Sequence, residues 1–313
     1  MTRAALFAYH NVGVRCLEVL LAAGAEVVLV VTHDDDPNEE IWFESVATRA
    51  RLHGIPVIAP RDPNAADVVE RVRVSAPDIL FSFYYRRMLG AELLALPRLG
   101  AYNMHGSLLP RFRGRAPVNW AILMGERETG ATLHEMIAKP DAGGIVDSER
   151  VPILPNDLAR EVFDKVTFAA ETVLERALPA LLAGAARVIP QDLSAGSYFG
   201  GRRPEDGAVH PAWPAKRVHD LVRAVSPPYP GAFCRLREGT LRLLRTFDSG
   251  ERGGVTGEPA LLARGSQLHL RCADGGVLRI LAAELDGLPL TADALRARYR
   301  TEVLALGSET ATL

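Results

Sequence analysis

Residues 4–32 read AALFAYHNVGVRCLEVLLAAGAEVVLVVT, and the order of patterns in this stretch decides the fold. Residues 4–9 form an apolar run of the length of a buried strand. Residues 14–23 repeat their apolar side chains at helical spacing and stop at Gly24. Residues 26–32 are β-branched and read as a second strand. Strand, helix, strand over so short a span is a crossover unit, because parallel neighbours need a connection long enough to return along the sheet.

The rhythm continues outward. Residues 33–40, HDDDPNEE, form a loop punctuated by Pro37; 41–52 read as a helix, 55–59 as a strand, 65–74 as a helix, and 78–83 and 101–104 as strands. Residues 131–137 and 144–153 read as strands around a turn, and 158–182 as a long amphipathic helix. This predicts an α/β fold, a Rossmann-like and mostly parallel sheet covered on both faces, with ligands beyond the carboxyl ends of its strands. The turn after the first strand lacks GxGxxG, which argues against a dinucleotide cofactor. A composition break follows at 194–214, SAGSYFGGRRPEDGAVHPAWP. Beyond it a helix at 215–225 precedes four strand candidates, FCRLREG, LRLLRTF, QLHLRC and GVLRILAAEL. The expected domains are therefore 1–200 and 205–313, the second small, β-rich and barrel-like.

Composition narrows the function. With 48% hydrophobic and 24% charged residues the chain carries a normal core. Lys+Arg 36 against Asp+Glu 38 leaves a net charge of −2, without the basic surplus of a general nucleic-acid binder. The three cysteines, Cys16, Cys234 and Cys272, lie far apart, so neither a disulfide framework nor a zinc site is expected. No apolar run approaches a bilayer span, and the start MTRAALFAYHNVG does not read as a secretory signal; a cytoplasmic location is the expectation.

The densest functional stretch is 102–117, YNMHGSLLPRFRGRAP. Asn103 and His105 lie two apart on a predicted strand, so alternation turns both to one face. An amide donor beside an imidazole can make an oxyanion site with an attached proton carrier; a core histidine beside a turn-forming asparagine is the alternative. Arg111, Arg113 and Arg115 follow among Pro and Gly, a pattern for an anion-binding loop or for a solvated surface loop. In KPDAGGIV, Asp141 stands before two glycines, in either a tight hairpin turn or a loop near a ligand. An aspartate near His105 would fix its tautomer and raise its pKa. His10, His53, His134, His210, His219 and His269 show no partner pattern and read as structural.

Taken together, NxH, GSLLPxxRGRAP, TLHxM and DxG resemble the formyltetrahydrofolate-dependent formyltransferases. LFAYHNVG, FSFYYRR, GRAPVNWAI, FGGRRPEDG and LVRAVSPPYPGAF carry the likeness along most of the chain. They are most similar to the subgroup forming the formyltransferase part of bifunctional polymyxin-resistance proteins, which act on UDP-4-amino-4-deoxy-L-arabinose in lipid A modification. The resemblance implies a Rossmann-like N-terminal and an OB-like C-terminal domain. It implies 10-formyltetrahydrofolate as co-substrate, no metal, and Asn103, His105 and Asp141 as the catalytic trio. It also implies a folate pocket lined by Arg87, Met88 and Leu89, by Arg115, and by Ile137, Ala138, Lys139, Pro140 and Asp141. Arg87 departs from the residue of the close relatives.

Arg113, Arg202 and Arg203 are candidates for gripping the acceptor's diphosphate, with linker solvation as the alternative for the last two. Those bifunctional relatives carry a decarboxylase domain that is not found in these 313 residues, so a separate decarboxylase partner is an expectation. A methionyl-tRNA formyltransferase is the alternative of the same chemistry, and the acidic loop 33–40 argues against it through phosphate repulsion. Formylation of another nucleotide-linked amino sugar, a non-catalytic folate or sugar-nucleotide binder, and a formylfolate hydrolase are further readings.

Overall fold

The structure, a computed structural model, describes residues 1–37, 39–236, 239–252 and 258–306. Two compact units form. One holds Met1–Pro117, Glu128–Val151 and Phe163–Gly200; the other holds Val118–Arg127, Pro152–Val162 and the chain from Gly201 onward.

The first unit is built in chain order from β1 (Arg3–Ala8), α1 (His10–Ala22), β2 (Glu26–Val31), α2 (Val46–Leu52), β3 (Val57–Ile58), α3 (Ala66–Val74), β4 (Ile79–Phe83), α4 (Ala91–Leu94) and β5 (Ala101–His105). Next come the short β6 (Arg113–Gly114), β7 (Glu128–Glu135), β8 (Ile145–Pro152), α6 (Ala159–Leu182, its first turn in the second unit) and β9 (Tyr198–Phe199), while α5 (Pro117–Leu123) lies almost wholly in the second unit. Seven strands make one sheet in the order β3-β2-β1-β4-β5-β7-β8. The pairs from β3 through β5 are parallel, and β5–β7 is antiparallel. This is the Rossmann-like, mostly parallel sheet predicted. Every residue of β4 is buried, as expected of a central strand covered on both faces. One face packs Phe7, Val31 and Leu80 against Val69, Val72 and Leu93.

Two boundaries differ from the periodicity and each has a local cause. Helix α1 begins at His10, directly after β1, without a separate turn. Helix α2 begins at Val46 because Ser45 caps it, its side chain accepting the Thr48 N–H. The apolar residues before that cap are used elsewhere: Trp42 and Phe43 pack on the ring of His10 with centroids 4.4 and 4.0 Å away.

The second unit holds α7 (Ala215–Ala224) and a largely antiparallel sheet. Its strands are β10 (Ala232–Leu236), β11 (Gly239–Arg252), β12 (Ala260–Arg264), β13 (Gln267–Arg271), β14 (Gly276–Leu285), the short β15 (Leu288–Pro289) and β16 (Val303–Ala305), with α8 (Ala292–Tyr299) between the last two. The strand path is β10-β11-β14-β13-β12-β16, with α7 packed against β11 and β14. All four predicted strands are present, and residues 237 and 238 of FCRLREG lie outside the described residues. Strand β12 and helix α8 are additions that the sequence reading lacked. Among the described residues no helix is long and apolar enough to cross a membrane.

Candidate active site

Strand β5 ends on His105 at the carboxyl edge of the sheet, where ligands of such sheets bind. Asn103 and His105 share a face, and the antiparallel register sets them opposite His134 and Thr132 of β7. Cross-strand geometry thus inserts a residue the sequence reading had given a structural role. The Asn103 amide nitrogen lies 3.0 Å from His134 Nε2, and His134 Nδ1 lies 2.8 Å from the Glu135 carbonyl. A carbonyl only accepts, so Nδ1 carries the His134 proton and Nε2 accepts from the Asn103 amide. One amide hydrogen of Asn103 is used this way, and the amide plane is fixed.

His105 is pinned in the same manner. Its Nε2 lies 2.8 Å from the carbonyl of Phe112, so Nε2–H donates there and Nδ1 is the open nitrogen of the neutral ring. The Asp141 Oδ1 atom sits 3.6 Å from His105 Nδ1 and 3.6 Å from His134 Nε2. The structure therefore brings the three predicted residues together and adds His134 to them. At 3.6 Å the His105–Asp141 contact is an ion-pair approach and not a hydrogen bond. Two sequence expectations are corrected here. The Phe112 carbonyl, and not Asp141, sets the tautomer. The His105 pKa is lowered, because burial of a ring only 6% exposed outweighs the raising effect of Asp141. Burial would raise the Asp141 carboxyl. His105, His134 and the Gly114 N–H together overcome that and hold it well below the usual carboxylate range.

The loops around the trio are held in demanding conformations. Asp141 has φ 50°, and Tyr84, Phe112 and Ala116 also adopt positive φ in the loops after β4 and β5. Two contacts fix Asp141 and a third fixes the loop after it. The Gly114 N–H donates to its Oδ2 at 2.8 Å, and Gln191 Nε2 donates to the carbonyls of Asp141 and Gly143 at 3.1 and 2.5 Å. Gly114 (φ 98°) can present that N–H because a Cβ there would collide with the Phe199 carbonyl across the β6–β9 pair. Gln191 was missed in the sequence; it lies beyond α6 and only the folded chain brings it to the 141–143 loop.

The remaining predicted residues separate by environment. Arg87 and Met88 are exposed on the loop after β4, whereas Leu89 is 3% exposed and belongs to the core, so it can offer only its backbone to a ligand. Ile137, Ala138 and Lys139 are exposed, and Pro140 is half-buried. Arg115 is exposed, its N–H bonded to the Phe199 carbonyl. Arg113 is buried, and Arg111 lies over the Phe112 ring at 5.4 Å, so the three loop arginines occupy different surroundings. Arg202 and Arg203 belong to the second unit and have local uses. Arg202 lies 5.0 Å over the Trp120 ring and donates to the Asp206 carbonyl, and the Arg203 N–H donates to the Asp206 carboxylate. Among the described residues no group of three or more His, Cys, Asp or Glu could hold a metal ion.

Comparison with known proteins bears on this geometry. The chain is similar in structure to WlaRD, a sugar 3N-formyl transferase crystallised in the presence of dTDP and 5-N-formyl-THF. Identity is 19% and the TM-score 0.67, with 90% of this chain and 97% of that one covered. An N-formyltransferase from Helicobacter canadensis, in complex with folinic acid and dTDP-3-aminofucose, matches with 19% identity and TM-score 0.68 over 90% and 99% of the two chains. A 4-N formyltransferase from Francisella tularensis matches at 18% and 0.61, over 74% and 91%. These likenesses concern the fold. Family models match over most of the length: the formyl transferase model over residues 16–178 and the formyl transferase C-terminal domain model over residues 202–299. With the first of these covering more than half of the sequence, the chain belongs to the formyl transferase family.

Proposed function

We propose that the protein transfers a formyl group from 10-formyltetrahydrofolate to the primary amine of a nucleotide-linked amino sugar, with UDP-4-amino-4-deoxy-L-arabinose in lipid A modification as the acceptor. Residues 1–200 act as the catalytic domain and 205–313 as the OB-like domain. The observation that carries the reading is the convergence of Asn103, His105 and Asp141, with an imidazole nitrogen that faces a carboxylate at 3.6 Å and has no hydrogen-bond partner among the described residues. An imidazole nitrogen held beside a carboxylate and bonded to nothing else can take up a proton and give it back. The solved neighbours support the donor and acceptor classes, since they were crystallised with formylfolates and dTDP or a dTDP-sugar.

The folate supplies an activated formyl group on nitrogen. The loop after β4 fits such a ligand: the N–H and C=O of Arg87 and the N–H of Met88 make no hydrogen bond to the described residues and are free to meet a polar ring edge. Arg115 and the Ile137–Asp141 loop complete that pocket. The geometry then orders the proton steps. Neutral His105, its Nε2–H held by Phe112, has only Nδ1 to offer and acts first as a base toward the attacking amine. Once protonated it faces Asp141, which balances the new charge, and from there the proton passes to the leaving nitrogen. Asn103 keeps its second amide hydrogen for the oxygen that gains charge. His134 and Gln191 hold Asn103 and Asp141 in place.

The test is a donor–acceptor matrix. The protein is mixed with 10-formyltetrahydrofolate and, separately, UDP-4-amino-4-deoxy-L-arabinose, a dTDP-amino sugar, charged initiator tRNA or buffer alone, and release of tetrahydrofolate is followed. Turnover with the UDP-sugar is expected. Turnover only with tRNA, with a steep salt dependence, makes the protein a tRNA formyltransferase. Release in buffer alone makes it a formylfolate hydrolase.

A further inference from the structure

The loop after β4 is held at two points by side chains from neighbouring loops. At its start the Arg86 N–H donates to His33 Nε2 at 3.0 Å, and the His33 ring stacks on Tyr85 with centroids 4.1 Å apart and planes 16° from parallel. The His33 ring also meets the edge of Tyr9 at 5.3 Å. At the loop's end Asn64 clasps it twice. Its amide donates to the Met88 carbonyl at 3.0 Å, and its Oδ1 accepts the Gly90 N–H at 2.6 Å. Gly90 permits this approach, since a Cβ there would lie 3.0 Å from Asn64 Oδ1. Between the two clasps lie Arg87 and Met88, whose remaining backbone groups make no hydrogen bond to the described residues.

We infer that His33 and Asn64 are positioning residues of the formylfolate site, a two-point brace that holds the Arg87–Met88 backbone in the shape a polar ring edge requires. The inference rests on the formyltransferase reading above. A loop without such clasps would have to be ordered by the ligand, and that ordering would be lost from affinity; a braced loop is set beforehand. The chemistry of His33 suits the task. A ring that accepts a backbone N–H at Nε2 must carry its proton on Nδ1 and must stay neutral, because imidazolium would set N–H against N–H. Burial, followed by the charges of Arg86 and Arg87 and against the opposing Asp34, pushes its pKa down to about 4, so the ring remains an acceptor at physiological pH. The acidic residues Asp35 and Glu39 have a related use. Glu39 pairs with both terminal nitrogens of Arg86, whose guanidinium covers the Tyr9 ring at 4.6 Å, and Asp35 accepts from the Tyr9 hydroxyl at 2.8 Å.

The experiment measures binding of folinic acid to the full chain by calorimetry, alongside steady-state kinetics in 10-formyltetrahydrofolate and in the acceptor. His33→Ala, which removes one hydrogen bond, and Asn64→Ala, which removes two, are each expected to weaken folinic acid binding and raise the folate KM about tenfold or more. The kcat at saturating folate and the acceptor KM stay within about twofold. His33→Gln, which restores an acceptor to the Arg86 N–H, recovers most of the loss, a rescue that a merely space-filling role would not show. Asn64 is exposed, so Asn64→Ala folds even if the His33 change does not. Wild-type protein that binds folinic acid while Asn64→Ala and the His33 variants bind it equally well overturns the brace and leaves the formyltransferase reading standing. Wild-type protein that binds no formylfolate overturns both.

Discussion

Two buried histidines, one in each unit, show what separates a working site from a structural one. His219 of α7 is 3% exposed and both ring nitrogens are satisfied: the Pro155 carbonyl lies 3.0 Å from Nε2 and the Thr246 hydroxyl 2.8 Å from Nδ1. Beside it Asp220 and Arg223 form a buried pair at 2.6 Å, and Arg223 donates onward to the Asp157 carbonyl. His105 is as deeply buried but has one satisfied nitrogen, with the other facing a carboxylate beyond hydrogen-bond reach. Both pKa values are lowered, and in both burial is the leading cause. Burial and titration therefore do not mark the active histidine; the open Nδ1 with a fixed counter-charge does. A satisfied buried network contributes stability, while a partly satisfied one costs stability and is retained where it does chemistry.

That contrast can be broken in order of effect. His105→Ala should be the most damaging change, lowering turnover by about 10²–10⁴ with the fold intact by circular dichroism, because it removes the base and proton carrier itself. Asp141→Asn, which removes the charge that balances protonated His105, should follow it and should also move the acid limb of the kcat/KM profile. Asp141 raises the His105 pKa against the lowering effect of burial, so removing it shifts that limb to lower pH. A limb that stays in place detaches Asp141 from His105. Asn103→Ala comes next, expected to cost about 10²–10³ in turnover as the loss of an oxyanion donor. Near-full activity in His105→Ala or Asn103→Ala takes that residue out of the chemistry. His134→Ala, which leaves Asn103 correct in type but unheld, should cost about tenfold in kcat, the worth of one buried hydrogen bond. Last in activity is His219→Ala. Its kcat per folded molecule should equal wild type, while denaturant titration shows a loss of about 1–3 kcal/mol from the stranded polar partners.

The pH dependence of stability sharpens the same comparison. A buried histidine with a lowered pKa stays neutral when folded and takes up a proton more readily when unfolded. Its contribution is complete above its ordinary value of 6.5 and is lost as the pH falls below it toward the folded-state value. Stability should therefore decline between pH 7 and 5, and His219→Gln should flatten the decline. An unchanged slope in that variant places the proton uptake on other groups.

The sequence shows its limits at particular residues. Alternation on β5 put Asn103 and His105 on one face, and that placement needed only the pleat. The same alternation in ATLHEM sets Thr132 and His134 on one face of β7, so a signal for His134 existed. What it lacked was the register that places His134 opposite Asn103, which depends on how β5 and β7 meet. Gln191 and Asn64 carried no local pattern at all, since each acts through a loop far from it along the chain. The helix predicted from residue 41 failed for a related reason: the spacing is helical, but Ser45 caps a later start and Trp42 and Phe43 find better burial against His10.

Local sequence alone determined the alternating strands and helices of the first unit, the change of character near residue 200, and the placing of an amide and an imidazole on a strand end. Each follows from residue type and short-range period, which act over a few neighbours and need no partner. Only the tertiary structure decided which carbonyl holds His105, which histidine holds Asn103, and how near Asp141 comes. Those are distances between segments tens of residues apart, and the packing of the whole sheet and its loops sets them.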